Sequence, residues 1–153
     1  MGALLDEYER AINELKQLLT GIPDGDLTTV QDSRTTNEKS RSIQTVLAHV
    51  VDAGYWYALQ IHRLKGYQGD GVPKILRATV QAYTDDLDGV MVYTEKVLTA
   101  FADAELEELD HTRKILTPWG QFYDAEQMME HAIVHILRHR RQLERWLQEN
   151  VKK

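Results

Sequence analysis

The sequence contains no cysteine. The chain therefore cannot form a disulfide or a zinc ribbon and has no cysteine nucleophile, so any metal site must use His, Asp and Glu side chains. Glycine and proline are also scarce, with nine and three residues among 153, whereas hydrophobic residues make up 42% and charged residues 27%. This composition excludes disordered, fibrous and low-complexity proteins. It predicts a single globular domain spanning residues 1–153.

Positively charged residues are fewer than negatively charged ones. Lys and Arg number 18 against 24 Asp and Glu, a formal net charge of -6, which gives no general attraction to a phosphate backbone. We therefore expect neither nucleic acid nor an anionic membrane as a partner. No stretch approaches the roughly 20 apolar residues of a membrane-spanning helix. The N-terminus carries Asp6, Glu7 and Glu9 and lacks the pattern of a signal peptide, so we expect a cytoplasmic protein.

Hydrophobic periodicity is the main structural signal in the chain. In four segments, apolar residues recur at alternating spacings of three and four, which places them on one face of a helix. No alternating run flanked by hairpin residues is present, so the sequence gives no support for a sheet. The predicted helices cover residues 3–20, the segment from Ser42 to near Gly66, the segment from just after Pro73 to Phe101, and residues 125–149.

Four helices of similar length predict an all-α fold, a four-helix bundle with two long inter-helix connections. Ser42 can cap the second helix with its hydroxyl, and Asp124 followed by Gln127 matches a capping box before the fourth. The predicted connection 66–72 is short, whereas 21–41 and 102–123 are long. Long connections in compact domains are often crossovers, so we expect both to pass over an end of the bundle.

Three of the six histidines lie within nine residues of the fourth helix, at positions 131, 135 and 139. Each neighbouring pair projects from successive turns, as two ligands of one ion require. All three cannot bind the same ion. His131 and His139 are separated by about 12 Å along the helix axis, whereas a Zn–N bond is about 2 Å.

The apolar stripe of the predicted fourth helix, which is the face that would point into the bundle, distinguishes between the two possible histidine pairs. His139 lies within the stripe, His135 on its edge and His131 further away, so His135 and His139 are the better pair. A third ligand must come from another helix, and His49 flanks the apolar face of the second helix. His62 and His111 lie outside this arrangement. The alternative interpretation is that these histidines are hydrogen-bonded or half-exposed side chains that bind no metal.

Two common metal motifs do not fit the fourth helix. His131 and His135 have the spacing of a zinc protease motif, but Ala132 occupies the position of its catalytic Glu. A ferritin-like di-iron site requires Glu three residues before a ligand His. The corresponding residues are Met128, Ala132 and Ile136.

Two segments resemble the motifs of the DinB/YfiT superfamily. These are residues 42–52, with the sequence SIQTVLAHVVD, and residues 135–143, with the sequence HILRHRRQL. Trp119 and Gly120 also resemble that family's approach to its fourth helix. The resemblance covers nearly the whole chain in order and spacing. Arg141 replaces the usual glycine of the last motif, and Ile136 replaces the Glu that usually follows the first ligand.

The resemblance implies a four-helix bundle, commonly a homodimer, with one metal held by His49, His135 and His139. Some relatives transfer a low-molecular-weight thiol such as bacillithiol or mycothiol to electrophiles. The expected function is thus that of a metal-dependent enzyme with a three-histidine mononuclear site and a thiol-dependent S-transferase-like activity. Its cofactor would be a divalent metal ion such as Zn, Ni or Fe, since all of them accept imidazole. Its partners would be a small-molecule thiol and an electrophilic substrate.

Two alternatives to this function remain open. The same site can activate water, which would make the protein a metal-dependent hydrolase. The bundle can also be a non-catalytic binding or interaction module with a silent metal site. The sequence identifies no catalytic residue beyond the three predicted ligands.

A second apolar strip on the second helix predicts a homodimer. Val51, Tyr55 and Leu59 lie outside the main stripe at spacings of four, and contiguous apolar strips often mark association surfaces. The alternative is that the connection 21–41 folds over this strip within one chain.

Overall fold

The computed structural model describes residues 1–151. Four helices dominate the structure, together with one two-stranded antiparallel hairpin in which Ile115 pairs with Tyr123 and Leu116 with Phe122. The all-α four-helix fold predicted from the sequence is confirmed. The elements are α1 (Gly2–Leu19), α2 (Ile43–Leu64), α3 (Val80–Leu98), β1 (Ile115–Leu116), β2 (Phe122–Tyr123) and α4 (Ala125–Val151).

Each helix packs against two others. Helix α1 contacts α3 and α4, and α2 contacts the same two helices from the other side of the bundle. The consecutive pairs α1/α2 and α3/α4 therefore lie on diagonals. The connections that join them cross the bundle, which is the arrangement expected for the long segments 21–41 and 102–123.

Side-chain caps fix the helix starts nearest the histidines. The Ser42 hydroxyl accepts from the Thr45 amide at 3.2 Å, and the Thr45 hydroxyl accepts from the Ser42 amide at 3.1 Å. Asp124 and Gln127 make the reciprocal pair before α4, at 2.9 and 3.1 Å. Both caps were predicted, and such caps satisfy amides that the first helical turn leaves without partners.

The predicted start of the third helix was wrong. Helix α3 begins at Val80, and the preceding connection is therefore long rather than the short 66–72. Arg77 explains the difference. Its guanidinium forms two 2.8 Å bonds with Asp86, its amide donates to the Tyr83 hydroxyl, and its carbonyl accepts from Gln44. These contacts hold the segment in extended form, and Thr79 caps the helix instead.

The hairpin was not predicted, because its strands are only two residues long. Thr117 closes it by accepting from the Gln121 amide and donating to the Gln121 carbonyl, at 3.0 and 2.9 Å. Gly120 adopts a φ of +84° in the turn, a conformation that favours glycine. The hairpin matters for function because it carries Trp119 over the side of the bundle where the histidines lie.

The apolar strip of Val51, Tyr55 and Leu59 is covered within the chain. Residues around Val72 line small cavities with all three side chains, and Leu59 is only 5% exposed. The covering segment is the extended connection before α3, rather than the connection 21–41. This strip therefore gives no support for a homodimer, which stays a prediction from the family resemblance. No helix within residues 1–151 is both long and apolar enough to cross a bilayer.

Candidate metal centre

Three histidines from two neighbouring helices converge on one side of the bundle. His49 lies on α2, and His135 and His139 lie one turn apart on α4. One ring nitrogen from each lies within 4.8 Å of those of the other two. Within residues 1–151, no other group of three or more His, Asp or Glu side chains has this geometry. The three ligands predicted from the sequence are thus brought together.

The imidazole rings are steeply inclined to one another. Their centroids are 4.5 to 5.2 Å apart and their planes differ by 68° to 84°. The closest approach joins His49 Nε2 to His135 Nε2 at 3.1 Å. A contact of this length is a hydrogen bond in which one Nε2 donates and the other accepts, so ring nitrogens, rather than stacked ring faces, meet at the centre of this pair.

All three histidines are biased toward the neutral state. Burial, reinforced by the neighbouring histidines, lowers the pKa of His135 to about 3. Burial and the adjacent His139 lower the pKa of His49 to about 4. Burial also lowers the pKa of His139, although its hydrogen bond to Gln142 opposes that shift. Neutral imidazoles carry the free lone pair that a metal ligand needs.

Gln142 fixes the orientation of His139. The Nδ1 of His139 lies 2.9 Å from Gln142 Oε1, and an amide oxygen can only accept, so the proton is on Nδ1. The lone pair of His139 is consequently on Nε2. His49 differs, because its Nδ1 is buried and has no hydrogen-bond partner among the described residues.

This donor set fits a divalent transition metal. Zn, Ni, Fe and Cu all accept imidazole ligands, so the donor set leaves the identity of the metal open. Histidine ligands usually donate their other ring N–H to an acceptor, as His139 does to Gln142. Three protein ligands also leave coordination positions for water or substrate, which is typical of catalytic rather than structural sites.

The other three histidines are engaged elsewhere. His131 stacks on Trp119, with ring centroids 4.6 Å apart and planes inclined by 15°. His62 stacks on Tyr67 at 4.1 Å and its Nδ1 lies 3.1 Å from the Tyr93 hydroxyl. His111 is exposed in the connection before the hairpin. None of them joins the group of three.

A cavity of about 270 Å³ opens beside His49. Three of its eight lining residues are Trp or Tyr, and the sequence did not point to the cavity, because the contributing residues come from three separate segments. Among its residues, the sequence pointed to His49 as a predicted ligand and to Asp52 and Trp119 as parts of the family resemblance. The lining residues are Lys39, His49, Asp52, Ala53, Trp56, Tyr57, Pro118 and Trp119.

A larger groove of about 670 Å³ lies elsewhere and contains none of the histidines. Its charged side chains are mostly paired among themselves: Lys65 with Glu105 at 2.7 Å, and Arg113 with Glu108 at 3.0 Å. Within the described chain, none of its carboxylates belongs to a group of three His, Asp or Glu side chains with ligand geometry, so the histidine site is the better candidate for the reaction site.

A sequence model of the DinB superfamily matches residues 7–143. The chain belongs to the DinB superfamily. It is also similar to the crystal structure of a conserved protein from Enterococcus faecalis, with a TM-score of 0.70 and 15% identity over 99% of this chain and 97% of that one. At this level of identity the similarity concerns the fold alone. No curated protein matches the chain.

The match to the DinB superfamily spans all three converging histidines. The two departures from its fourth-helix motif have different structural consequences. Ile136 is 2% exposed and forms part of the bundle core, so no carboxylate follows the first ligand. Arg141 is exposed and adds positive charge to the outer face of α4.

Proposed function

We propose that this DinB-superfamily protein is a metal-dependent enzyme that transfers a small thiol to an electrophilic carbon. In this proposal His49, His135 and His139 hold one divalent ion. The observation that carries it is the convergence of their three ligand nitrogens within 4.8 Å beside an open cavity. A purely structural site normally has four protein ligands and no adjoining cavity.

A divalent ion held by these three histidines would activate the thiol nucleophile. A divalent ion with three neutral ligands lowers the pKa of a coordinated thiol, so a thiolate is available near neutral pH without a protein cysteine. The chain's own contribution is to orient the ligands, through Gln142, and to provide a cavity for the electrophile next to His49.

Tyr57 is placed to act as a hydrogen-bond donor. It lines the cavity, and its ring centroid lies 5.6 Å from that of His135. Burial raises the pKa of Tyr57 to about 12. Its hydroxyl is therefore protonated at neutral pH, so it can donate to a polar substrate atom and does not act as a base.

The proposed reaction is a nucleophilic substitution. The thiol loses its proton to solvent, and a sulfur lone pair forms the new bond to the electrophilic carbon. The bond to the leaving group breaks, and its electron pair departs with that group. No oxidant or reductant takes part.

The test is a screen of the metal-loaded protein with glutathione, bacillithiol, mycothiol and coenzyme A against several electrophiles. We expect metal-dependent adduct formation with at least one thiol, loss of that activity in His135→Ala, and retention in His62→Ala. Metal-dependent cleavage of esters or amides without any thiol would indicate a hydrolase rather than a thiol transferase. No turnover in either assay would favour a non-catalytic binding bundle.

A further inference from the structure

One wall of the cavity beside His49 is formed by aromatic side chains. Trp56 and Trp119 approach each other with ring centroids 6.2 Å apart, and Tyr57 packs edge-on against Trp56 at 5.6 Å. Pro118 adjoins Trp119 in the same wall. Aromatic walls of this kind bind planar apolar groups through their ring faces.

Trp119 is held in place although it is 43% exposed. Its ring stacks on His131, and its Nε1 donates to Gln121 Oε1 at 3.0 Å. The Tyr123 hydroxyl donates to the same Gln121 oxygen at 2.9 Å. The indole is thus pre-organised at the mouth of the cavity, which reduces the entropy lost when a ligand packs against it.

Two charged side chains line this cavity, Lys39 and Asp52. Neither forms an ion pair with any residue between 1 and 151, in contrast to Arg77, which is bound by Asp86.

Lys39 is the cation that lines the cavity itself. It lies in a short 3-10 turn, Glu38–Ser40, immediately before α2. Asn37 caps this turn by accepting from the Lys39 amide at 3.1 Å. The backbone of Lys39 is therefore fixed, while its ammonium group has no partner of opposite charge in the described chain.

We propose that the cavity binds a small organic anion with a flat apolar group, and that such anions are the substrate class of the enzyme. The ring packs against Trp56 and Trp119, and the anionic group pairs with Lys39. Only the statement that these anions are substrates rests on the proposed function. The binding of an anion in the cavity does not require a metal. At about 270 Å³ the cavity is slightly smaller than the ~300–1,000 Å³ typical of sites for drug-sized ligands.

The three tryptophans allow a direct test by NMR. In ¹⁵N-labelled protein each indole gives its own signal, and Trp146 is an internal control because it is buried in the core away from the cavity. The probes are 3-phenylpropionate, its neutral analogue 3-phenylpropan-1-ol, and butyrate, which has no ring. We expect 3-phenylpropionate to shift the Trp56 and Trp119 signals and leave the Trp146 signal unchanged.

Affinities from the same titrations separate the two parts of the proposal. The aromatic anion should bind about fivefold more tightly than the neutral alcohol, as for one partly exposed ion pair. It should bind about tenfold more tightly than butyrate, the contribution of the ring. Lys39→Gln should abolish the first preference, and Trp119→Leu the second.

Matched variants control for general effects of these substitutions. Lys96→Gln removes an exposed lysine at the end of α3, and Phe122→Leu removes an aromatic ring of similar exposure from the same hairpin. Both should bind all three probes as the wild type does. Equal affinity for the anion and the alcohol, or equal behaviour of Lys39→Gln and Lys96→Gln, would overturn the proposal.

The titration is repeated on metal-free and metal-loaded protein so that the two proposals fail separately. Selective binding by a protein that takes up no metal would refute the proposed function and support the cavity assignment. Metal-dependent thiol transfer without any shift of the Trp56 and Trp119 signals would support the proposed function and refute the cavity assignment.

Discussion

His139 and Gln142 lie on the same face of α4, with His139 Nδ1 and Gln142 Oε1 2.9 Å apart. This bond fixes both the tautomer and the ring orientation of a proposed ligand. Gln142 is therefore a positioning residue for the metal centre, although its own atoms need not touch the ion.

Removal of this bond should weaken metal binding without abolishing it. We expect Gln142→Ala to lower the affinity for a divalent ion by about 10- to 100-fold, as for other residues that hydrogen-bond to a metal ligand. Competition with a chromophoric chelator measures the effect. Gln148→Ala, an exposed glutamine further along α4, is the control and should bind like the wild type. Equal affinities of the two variants would show that Gln142 does not position the ligand.

The metal-free protein should become less stable as the pH falls. In the unfolded chain the histidine pKa is near its ordinary value of 6.5, whereas in the fold those of His135 and His49 are lowered to about 3 and about 4. Between these values the unfolded state binds more protons, so the free energy of unfolding rises with pH and levels off near pH 7.

Urea titrations from pH 4 to pH 7 in the presence of a chelator test this dependence. His135→Ala should show a shallower rise than the wild type, because one buried histidine no longer contributes. His111→Ala removes an exposed histidine and should leave the slope unchanged. Identical slopes in all three proteins would contradict the assignment of the low pKa to the buried group.

Gly54 should be intolerant of even one methyl group. A Cβ at this position would lie 2.6 Å from Val90 Cγ1, where α2 packs on α3. Gly54→Ala should therefore destabilise the fold by about 1–3 kcal/mol, despite the ~1 kcal/mol that alanine normally adds to a helix. Thermal and urea denaturation measure the change.

The double variant Gly54→Ala/Val90→Ala checks the cause of that loss. Removing the valine methyl groups makes room for the new Cβ, so the two substitutions should be less destabilising together than the sum of each alone. If the two effects simply add, or if Gly54→Ala is more stable than the wild type, the contact between the new Cβ and Val90 is not the cause of the destabilisation.

Much of the metal centre could be predicted from local periodicity. The spacing of His135 and His139 and their place relative to the apolar stripe selected the pair that converges with His49, and His131 lies outside the group as expected. The start of α2 could likewise be predicted from the capping side chain of Ser42. In both cases the decisive information lies within a few turns of one helix.

The parts that escaped prediction depend on contacts between distant segments. Helix α3 starts at Val80 because Arg77 bonds to Asp86 and to Tyr83, which apolar spacing does not reveal. The cavity wall joins Lys39 and Trp56 to Trp119, more than 60 residues further along the chain. A sequence pattern within a single segment does not show which distant residues come into contact.

Elemental analysis of untagged protein is the most direct test of the three-histidine metal site. We predict one divalent metal ion per chain in the wild type and in His62→Ala, and none in His49→Ala, His135→Ala or His139→Ala. His131→Ala should keep its metal, since its ring stacks on Trp119 outside the group. Metal retained at full stoichiometry in His139→Ala, or lost from His131→Ala while His139→Ala keeps it, would contradict the account.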